Sequence, residues 1–462
     1  MKFALYFANR GFFPGELVDA AREEMTEALK RAGHEFVAMD RSLTKYGAVE
    51  TKADGERYAA FLKEHEDEVD GAILCLPNFG DENGAVPAFR HFKKPILIQA
   101  YPDEIGRMSF EERRDAFCGK LSIMDMFRQF GIRFTALEPH VCHPLSPEFA
   151  RQIDVFARIC AVVNGMREFS IGAIGARTTA FKTVRYDELA LQKAGVTVDT
   201  FDLSEVFART EALTGDERLP GLKKEYLAYS DFSAVPEEKL DLIARVTLAI
   251  LDLVKEYGLD TLALRCWNEF PSVMEISVCV VVGFLNHLGI PCACELDVGN
   301  AYAMRALTLA GAGVSTCLDW NNNYGTQKNK CILFHCGPVA RELMTDGGKV
   351  SDHKMFSKTW GKGCAFGACE GRIAPCDFTF LSAKTEDGKI SAYLGEGKFT
   401  GEPIEEAFFG CGGVAEIPDL EKILRYIGRN GYRHHVSVTP GQLKEVLTEA
   451  FSAYLDCELT VF

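Results

Sequence analysis

The chain reads as α/β, with two doubly wound domains, residues 1–165 and 166–329, followed by a mainly β domain, residues 330–462. Three observations carry this reading. Apolar runs of strand length alternate with amphipathic helical stretches from the first residues onward. A second unit of the same kind begins near residue 168, and from about residue 330 shorter strands and glycine-rich turns take over.

In the first unit KFALYFAN is a strand, ELVDAAREEMTEALKRAG an amphipathic helix closing at Gly33, HEFVAMD a second strand and RYAAFLKEHEDEV a helix, before the buried strands GAILCLP and PILIQAYP. Such a run builds an open parallel sheet of the Rossmann-like kind. Residues 78–84, NFGDENG, follow a strand end, where these folds bind ligands, but carry no GxGxxG, so no nucleotide is expected. Asn78, Asp81 and Glu82 read there as an ordinary turn or as hydroxyl-binding groups. The second unit runs through the strand FSIGAIGAR, the helix DELALQKAG, the strand VTVDTFDL and the long helix EEKLDLIARVTLAILDLVKEYG. It continues with the strand LDTLALRCW, a helix around VMEISVCVVVGFLNHLG, the strand IPCACE, the helix AYAMRALTLAG and the strand VSTCLD. In the last domain Asp387 and Gly388, between FLSAKTE and KISAYLG, signal a two-residue hairpin unless the charged neighbours widen the loop.

With 47% hydrophobic and 25% charged residues, the 462-residue chain has ordinary globular composition. Its formal charge of -15 leaves no electrostatic footprint for nucleic acid. VMEISVCVVVGFL is interrupted by Glu275 and too short to span a membrane. MKFALYFANRGFF places a strand directly after Met1 in place of a secretory signal, so a cytoplasmic location is expected. Sixteen cysteines suit that reducing setting; Cys266, Cys279, Cys292, Cys294, Cys317 and Cys331 sit in apolar runs as small hydrophobes. Cys364, Cys369, Cys376 and Cys411 lack CxxC spacing, and no metal centre is expected of them.

The chemistry points to Glu295, in PCACELDVGNAYAM, and to Asp319, 24 residues later in GVSTCLDWNNNYG. Each stands at the polar end of a short apolar segment, so both are expected at C-terminal strand ends of one sheet. Neighbouring carboxylates repel unless a cation or a shared proton holds them, which suggests a divalent metal or an acid/base couple. His335 in ILFHCG, and His434 and His435 in YRHHVSV, add imidazoles, and the mixed oxygen/nitrogen set suits a manganese-like ion. Adjacent strand residues point to opposite faces, so the sequence does not decide which of His434 and His435 turns toward it. Carboxylates after strands are also common as loop or cap residues, and a histidine in an apolar strand is commonly a core residue. Arg177 and Arg185 flank the first turn of the second unit, placed to grip an acidic substrate group or to form surface ion pairs. Trp267, Asn268 and Glu269 in CWNEFP follow another strand end, placed either to line a ligand pocket, with Trp320 as its flat apolar wall, or to pack.

From about residue 260 to its end the chain resembles the L-fucose isomerase and L-arabinose isomerase superfamily, through the CELD segment, the Asp319 segment, ILFHCG and HHVSVTPG. Weaker similarity extends through the first two thirds. The resemblance implies an aldose–ketose isomerase acting on a free or modified monosaccharide at a Mn2+ site, where Co2+ or Mg2+ would also find suitable donors. Glu295 matches the first family carboxylate and Asp319 the second, in the fucose-type spacing. His335 falls where the arabinose type has a histidine, and the HH doublet where both types place their last one. Glu295 and Asp319 would then be metal ligands and the acid/base pair of an enediol route. The resemblance further implies a hexamer whose first domain builds the oligomer, and it implies a sugar as partner, with neither nucleic acid nor membrane. A metal-dependent epimerase or lyase would use the same residues. A sugar-binding protein would need neither metal nor the HH pair. The region with GCGG and EPIEE departs from both patterns.

Overall fold

The computed structural model describes residues 1–311 and 313–462. They form two compact units, residues 1–164 with 449–455, and residues 165–448 with 456–462.

In the first unit, strands β1 (Lys2–Phe7), β2 (Glu35–Ala38), β3 (Gly71–Leu76) and β4 (Ile96–Ala100) form a parallel sheet in the order β2-β1-β3-β4. Every residue of β3, GAILCL, is buried, as a strand covered on both faces requires. The helix Leu17–Arg31 buries Val18, Ala21, Met25, Ala28 and Leu29 at helical spacing, and Gly33 turns the chain out at φ +74°. The helix Lys52–Glu64 opens with a capping box, in which Asp54 N donates to Thr51 Oγ1 at 3.2 Å and Thr51 N to Asp54 at 3.1 Å. The segment 78–84 is tied into this unit. Asn78 is buried and donates to Asn9 Oδ1 at 2.7 Å, Asp81 caps the helix Glu82–Phe89, and Glu82 binds Arg10 and Ser122.

The second unit begins with the same topology. Strands β5 (Phe169–Ile174), β6 (Val196–Phe201), β7 (Thr261–Leu264) and β8 (Cys292–Cys294) are parallel in the order β6-β5-β7-β8. The helix Glu237–Tyr257 lays a stripe from Leu240 to Leu253 on the core and stops at Gly258, φ +63°. The expected helix around VMEISVCVVVGFLNHLG is shorter than its apolar run. A π-turn at Phe270–Met274 ends at Glu275, which is left-handed at φ +55°, and the helix starts at Cys279 and ends at His287.

The third sheet has nine strands: β9 (Thr316–Asn323), β10 (Lys330–His335), β11 (Lys349–Asp352), β12 (Phe366–Arg372), β13 (Cys376–Glu386), β14 (Lys389–Phe399), β15 (Cys411–Glu416), β16 (His435–Pro440) and β17 (Glu458–Val461). Their order is β11-β12-β15-β10-β9-β16-β13-β14-β17, with parallel and antiparallel pairs mixed. The β13–β14 hairpin closes tightly: Glu386 pairs with Lys389, and Asp387 and Gly388 between them both have positive φ, 52° and 74°. Glu295 and Asp319 do not share one sheet, contrary to what their sequence positions suggest. Glu295 follows β8 of the parallel sheet, whereas Asp319 lies within β9 of the mixed sheet, opposite His435 of β16 and Phe334 of β10. The two carboxylates come from two sheets, because β9 pairs antiparallel with β10 and β16 and does not extend the parallel ladder.

The helix Val298–Ala310 joins these sheets. It is buried on nearly all sides, packing on β7 and β8 and on β13 and β16. Gly299 permits the close approach, since a Cβ there would stand 2.4 Å from the carbonyl oxygen of Ala383 and 2.2 Å from Nη1 of Arg433.

Candidate metal centre and active site

The three-residue strand β8 delivers Glu295 at its C-terminal end, and the chain then turns sharply. Glu295 and Leu296 both adopt φ +61°, a left-handed conformation that non-glycine residues rarely take and that concentrates at functional sites. The turn ends at Asp297, which caps the helix Val298–Ala310 by accepting from Asn300 N at 3.0 Å. Across the cleft, β16 opens with His435, fully buried. Its Nδ1 lies 2.8 Å from Asp297 Oδ2 and its Nε2 lies 2.9 Å from Glu295 Oε2 and 3.4 Å from Asp319 Oδ1.

Asp297 is fully buried yet satisfied, accepting from Arg433, His435, and the backbone and side-chain nitrogens of Asn300. Burial alone would raise its pKa, but the Arg433 charge and the His435 bond hold it well below the carboxylate range. Glu295 is shifted the same way: burial raises it, and the hydrogen bond and charge of His435, the charge of His335 and the Trp267 bond outweigh that. Burial disfavours charge on His435, yet its bonds to Asp297 and Glu295 and the negative charge of Asp319 raise it well above the ordinary imidazole value. His434 is lowered by burial and by the neighbouring His435 charge.

This geometry answers whether a cation fits. Glu295, His335 and His435 offer donor atoms that all lie within 4.8 Å of one another, and so do Asp319, His434 and His435. Among the described residues Asp319 Oδ1 and His335 Nε2 are buried without hydrogen-bond partners, an expensive state for polar atoms unless something else engages them. Glu295, Asp297 and Asp319 carry three negative charges against the Arg433 guanidinium, which pairs with Asp297, and a charged His435; once His435 gives up its proton on binding an ion, the cluster lacks two positive charges. A divalent ion matches both the charge and the oxygen/nitrogen donors. Asp297 holds the far nitrogen of His435, the arrangement that orients a metal-binding imidazole. His335 Nδ1 stands 2.9 Å from Cys336 N and 3.3 Å from Cys336 Sγ. Accepting from the backbone makes its Nε2 a hydrogen-bond donor; donating to the sulfur leaves Nε2 a lone pair for a ligand.

The remaining residues singled out from sequence divide. Trp267 Nε1 donates to Glu295 Oε1 at 2.7 Å. Asn268 sits at φ +65°, and Glu269 accepts from Arg265 at 2.6 Å while its other oxygen is buried without a partner. Arg265 also donates to Ala176 O at 2.9 Å, which ties the β7 loop to the β5 loop carrying Arg177. Arg177 is half-buried and donates to Thr178 O at 3.3 Å, and Arg185 is exposed. His434 is 45% exposed, with Nε2 3.7 Å from Asp319. Trp320, read from sequence as a pocket wall or a packing residue, packs away from this cluster. It follows Asp319 on the strand and turns to the other face, where Nε1 donates to Tyr393 at 3.0 Å and the ring meets Phe380 edge-on.

Sequence reasoning missed Asp297, Arg433 and Phe181. Asp297 carried a signal, a second acid two residues after Glu295; in the structure it is also the cap of the helix Val298–Ala310. Arg433 stood beside the histidine doublet. Phe181, whose ring centroid lies 5.6 Å from that of Trp267, 5.4 Å from His434 and 5.6 Å from His435, had no signal in a loop without periodicity.

Two family models match the chain: "Fucose/sulfoquinovose isomerase, N-terminal domain" over residues 4–167 and "L-fucose isomerase, C-terminal domain" over residues 333–462. The sulfoquinovose isomerase of Priestia megaterium is 23% identical over 448 residues, spanning 96% of this chain and 95% of its own. That of Clostridium sp. (strain MSTE9) is 25% identical, covering 81% of this chain and 83% of its own, and that of Alkalicoccus urumqiensis 21%, covering 84% and 86%. The chain belongs to the fucose/arabinose isomerase-related superfamily. Its membership and its donor clusters together support a metal-dependent enzyme of sugar-isomerase type. Among the described residues no helix is long and apolar enough to cross a membrane.

Proposed function

We propose that the protein interconverts an aldose and its ketose through an enediol, with Glu295, His435, Asp319 and His335 holding Mn2+, His434 bordering them, and Glu295 and Asp319 moving the protons. The observation that carries this reading is the buried Glu295–His335–His435 cluster, in which His335 Nε2 has no hydrogen bond among the described residues, with Asp319 Oδ1, likewise without one, 3.4 Å from His435 Nε2. What a divalent ion supplies when bound there is Lewis acidity toward a sugar carbonyl.

The chain's own groups supply the rest. Glu295, kept ionised by its neighbours and pinned by Trp267, takes the proton from the carbon beside the carbonyl and returns it to the adjacent carbon. Asp319, whose Oδ1 lies 3.4 Å from His435 Nε2 without a hydrogen bond among the described residues, shuttles the hydroxyl proton between the two substrate oxygens. Asp297 and Arg433 keep the His435 ring fixed while this happens. Trp267 and Phe181 exclude water from one side, and Asn268 and Glu269 stand ready for sugar hydroxyls. The relatives' name makes sulfoquinovose the first sugar to try, since Arg177 and Arg185 are cations suited to an anionic substituent. We further propose a cytoplasmic homohexamer and the three-part division at residues 165 and 329, both drawn from the resemblance and the sequence pattern.

The test is a panel of aldoses, sulfoquinovose included, incubated with chelator-stripped protein before and after Mn2+ is restored. A ketose product formed only with metal is expected. Epimers or cleavage fragments in its place would move the assignment to an epimerase or lyase, and substrate binding without turnover would make the protein a sugar binder.

A further inference from the structure

Apart from the carboxylate cluster, a second group of donors is buried in the same unit. Cys279 is the first residue of the helix Cys279–His287, Cys336 follows β10 directly, and His353 caps the helix Lys354–Trp360. The three are 0%, 7% and 0% exposed, their donor atoms all lie within 4.8 Å of one another, and the two sulfurs are 3.4 Å apart. Among the described residues His353 Nε2 is buried without a hydrogen-bond partner, while Nδ1 has only a 3.5 Å contact to Phe356 N, at the outer limit of a hydrogen bond. The ring therefore loses little by carrying its hydrogen on Nδ1 and turning the Nε2 lone pair to the sulfurs. Ser277 Oγ stands 3.1 Å from Cys279 Sγ, a hydroxyl next to one of the three donors.

We propose that Cys279, Cys336 and His353 bind a thiophilic divalent cation of the zinc class, separate from the metal of the isomerase site. Zn–S bonds of about 2.3 Å at tetrahedral angles place two sulfurs about 3.8 Å apart, so these thiols need to part by only a few tenths of an ångström. A disulfide would need them to close by more than 1 Å, to about 2.05 Å. Two thiolates neutralise the ion, which such an enclosed place requires. Gly367, at φ +134°, lets β12 lie against the Ser277 backbone, where a Cβ would come within 1.9 Å of the Ser277 oxygen, and so closes the group over. The ion would staple the start of one helix, the end of β10 and the start of another, and it would enter as the chain folds. The neighbouring pair Cys266 and Cys294, with sulfurs 3.2 Å apart, has no imidazole among the clustered donors and serves as the control.

The test is the absorption spectrum of protein produced in cobalt-supplemented medium, with metal content measured alongside. A thiolate-to-cobalt charge-transfer band in the near ultraviolet is expected, unchanged in Glu295→Gln and Cys294→Ser and lost in Cys279→Ser and His353→Gln. Because the isomerase site has no sulfur donor, this band does not depend on the proposed activity. A wild-type spectrum without the band overturns the proposal whether or not the variants fold. So does a band that survives Cys279→Ser, or an intact mass two hydrogens low, which would mark a disulfide.

Discussion

Asp297 decides how the His435 ring is presented, although it touches no substrate in this reading. Replacing it with Asn keeps the shape and removes the carboxylate charge that Nδ1 faces; Mn2+ affinity should fall about 10- to 100-fold by calorimetry, as when a residue behind a metal ligand is lost. Asp297→Ala also strands the Arg433 guanidinium, which is 4% exposed, and should cost about 3–5 kcal/mol of stability in urea unfolding. The two histidines should separate clearly: His435→Gln abolishes Mn2+ binding, whereas His434→Gln, at a half-exposed ring, changes it less than about tenfold. At this scale Glu295 after its strand and Asp319 stood out in the sequence as candidates, although Asp319 lies inside β9 and not at a strand end. Which histidine faces them was not legible, since it depends on the β9–β16 register that sets His435 opposite Asp319, and register is a property of two strands.

Among the elements, local signals were the readable ones. The Asp387–Gly388 hairpin, the Gly33 stop and the alternating strands of both parallel sheets follow from short-range backbone preference. The boundary at Cys279 was hidden, because hydrophobic periodicity does not register a single left-handed residue such as Glu275. The sheet to which β9 belongs was hidden too, since an apolar run looks the same whichever strand it pairs with. The helix Val298–Ala310 gives a test of how the two sheets are held. Gly299→Ala places a methyl against Arg433 and the Ala383 carbonyl, and should destabilise the protein by about 1–3 kcal/mol in the same urea assay. A neutral result would mean that the helix shifts freely and does not fix Glu295 relative to His435.

For the whole molecule, pH offers a check on the first unit. Lys120, on the helix Ala116–Gln129, is 1% exposed and donates to His140 O at 2.8 Å; burial pushes its ammonium down to about 8 from 10.5. Below pH 8 both folded and unfolded chains carry this proton, and the full cost of burying the charge is present. Between about pH 8 and 10.5 the unfolded chain holds more protons, so stability rises with pH, by about 3 kcal/mol at most. Lys120→Met should lack this rise when both proteins are unfolded across that range, which separates it from the general effect of a chain of formal charge -15.

The central claim, that two sheets bring Glu295 and Asp319 to one cation for proton transfer between sugar carbons, is tested most directly by proton NMR in D2O. Mn2+-loaded protein should convert aldose to ketose with solvent deuterium entering at the carbon that exchanges its proton, and Glu295→Gln should lose both exchange and conversion by about 10²- to 10⁴-fold while still binding the sugar. Conversion without any deuterium entry, or undiminished exchange in Glu295→Gln, would contradict the account.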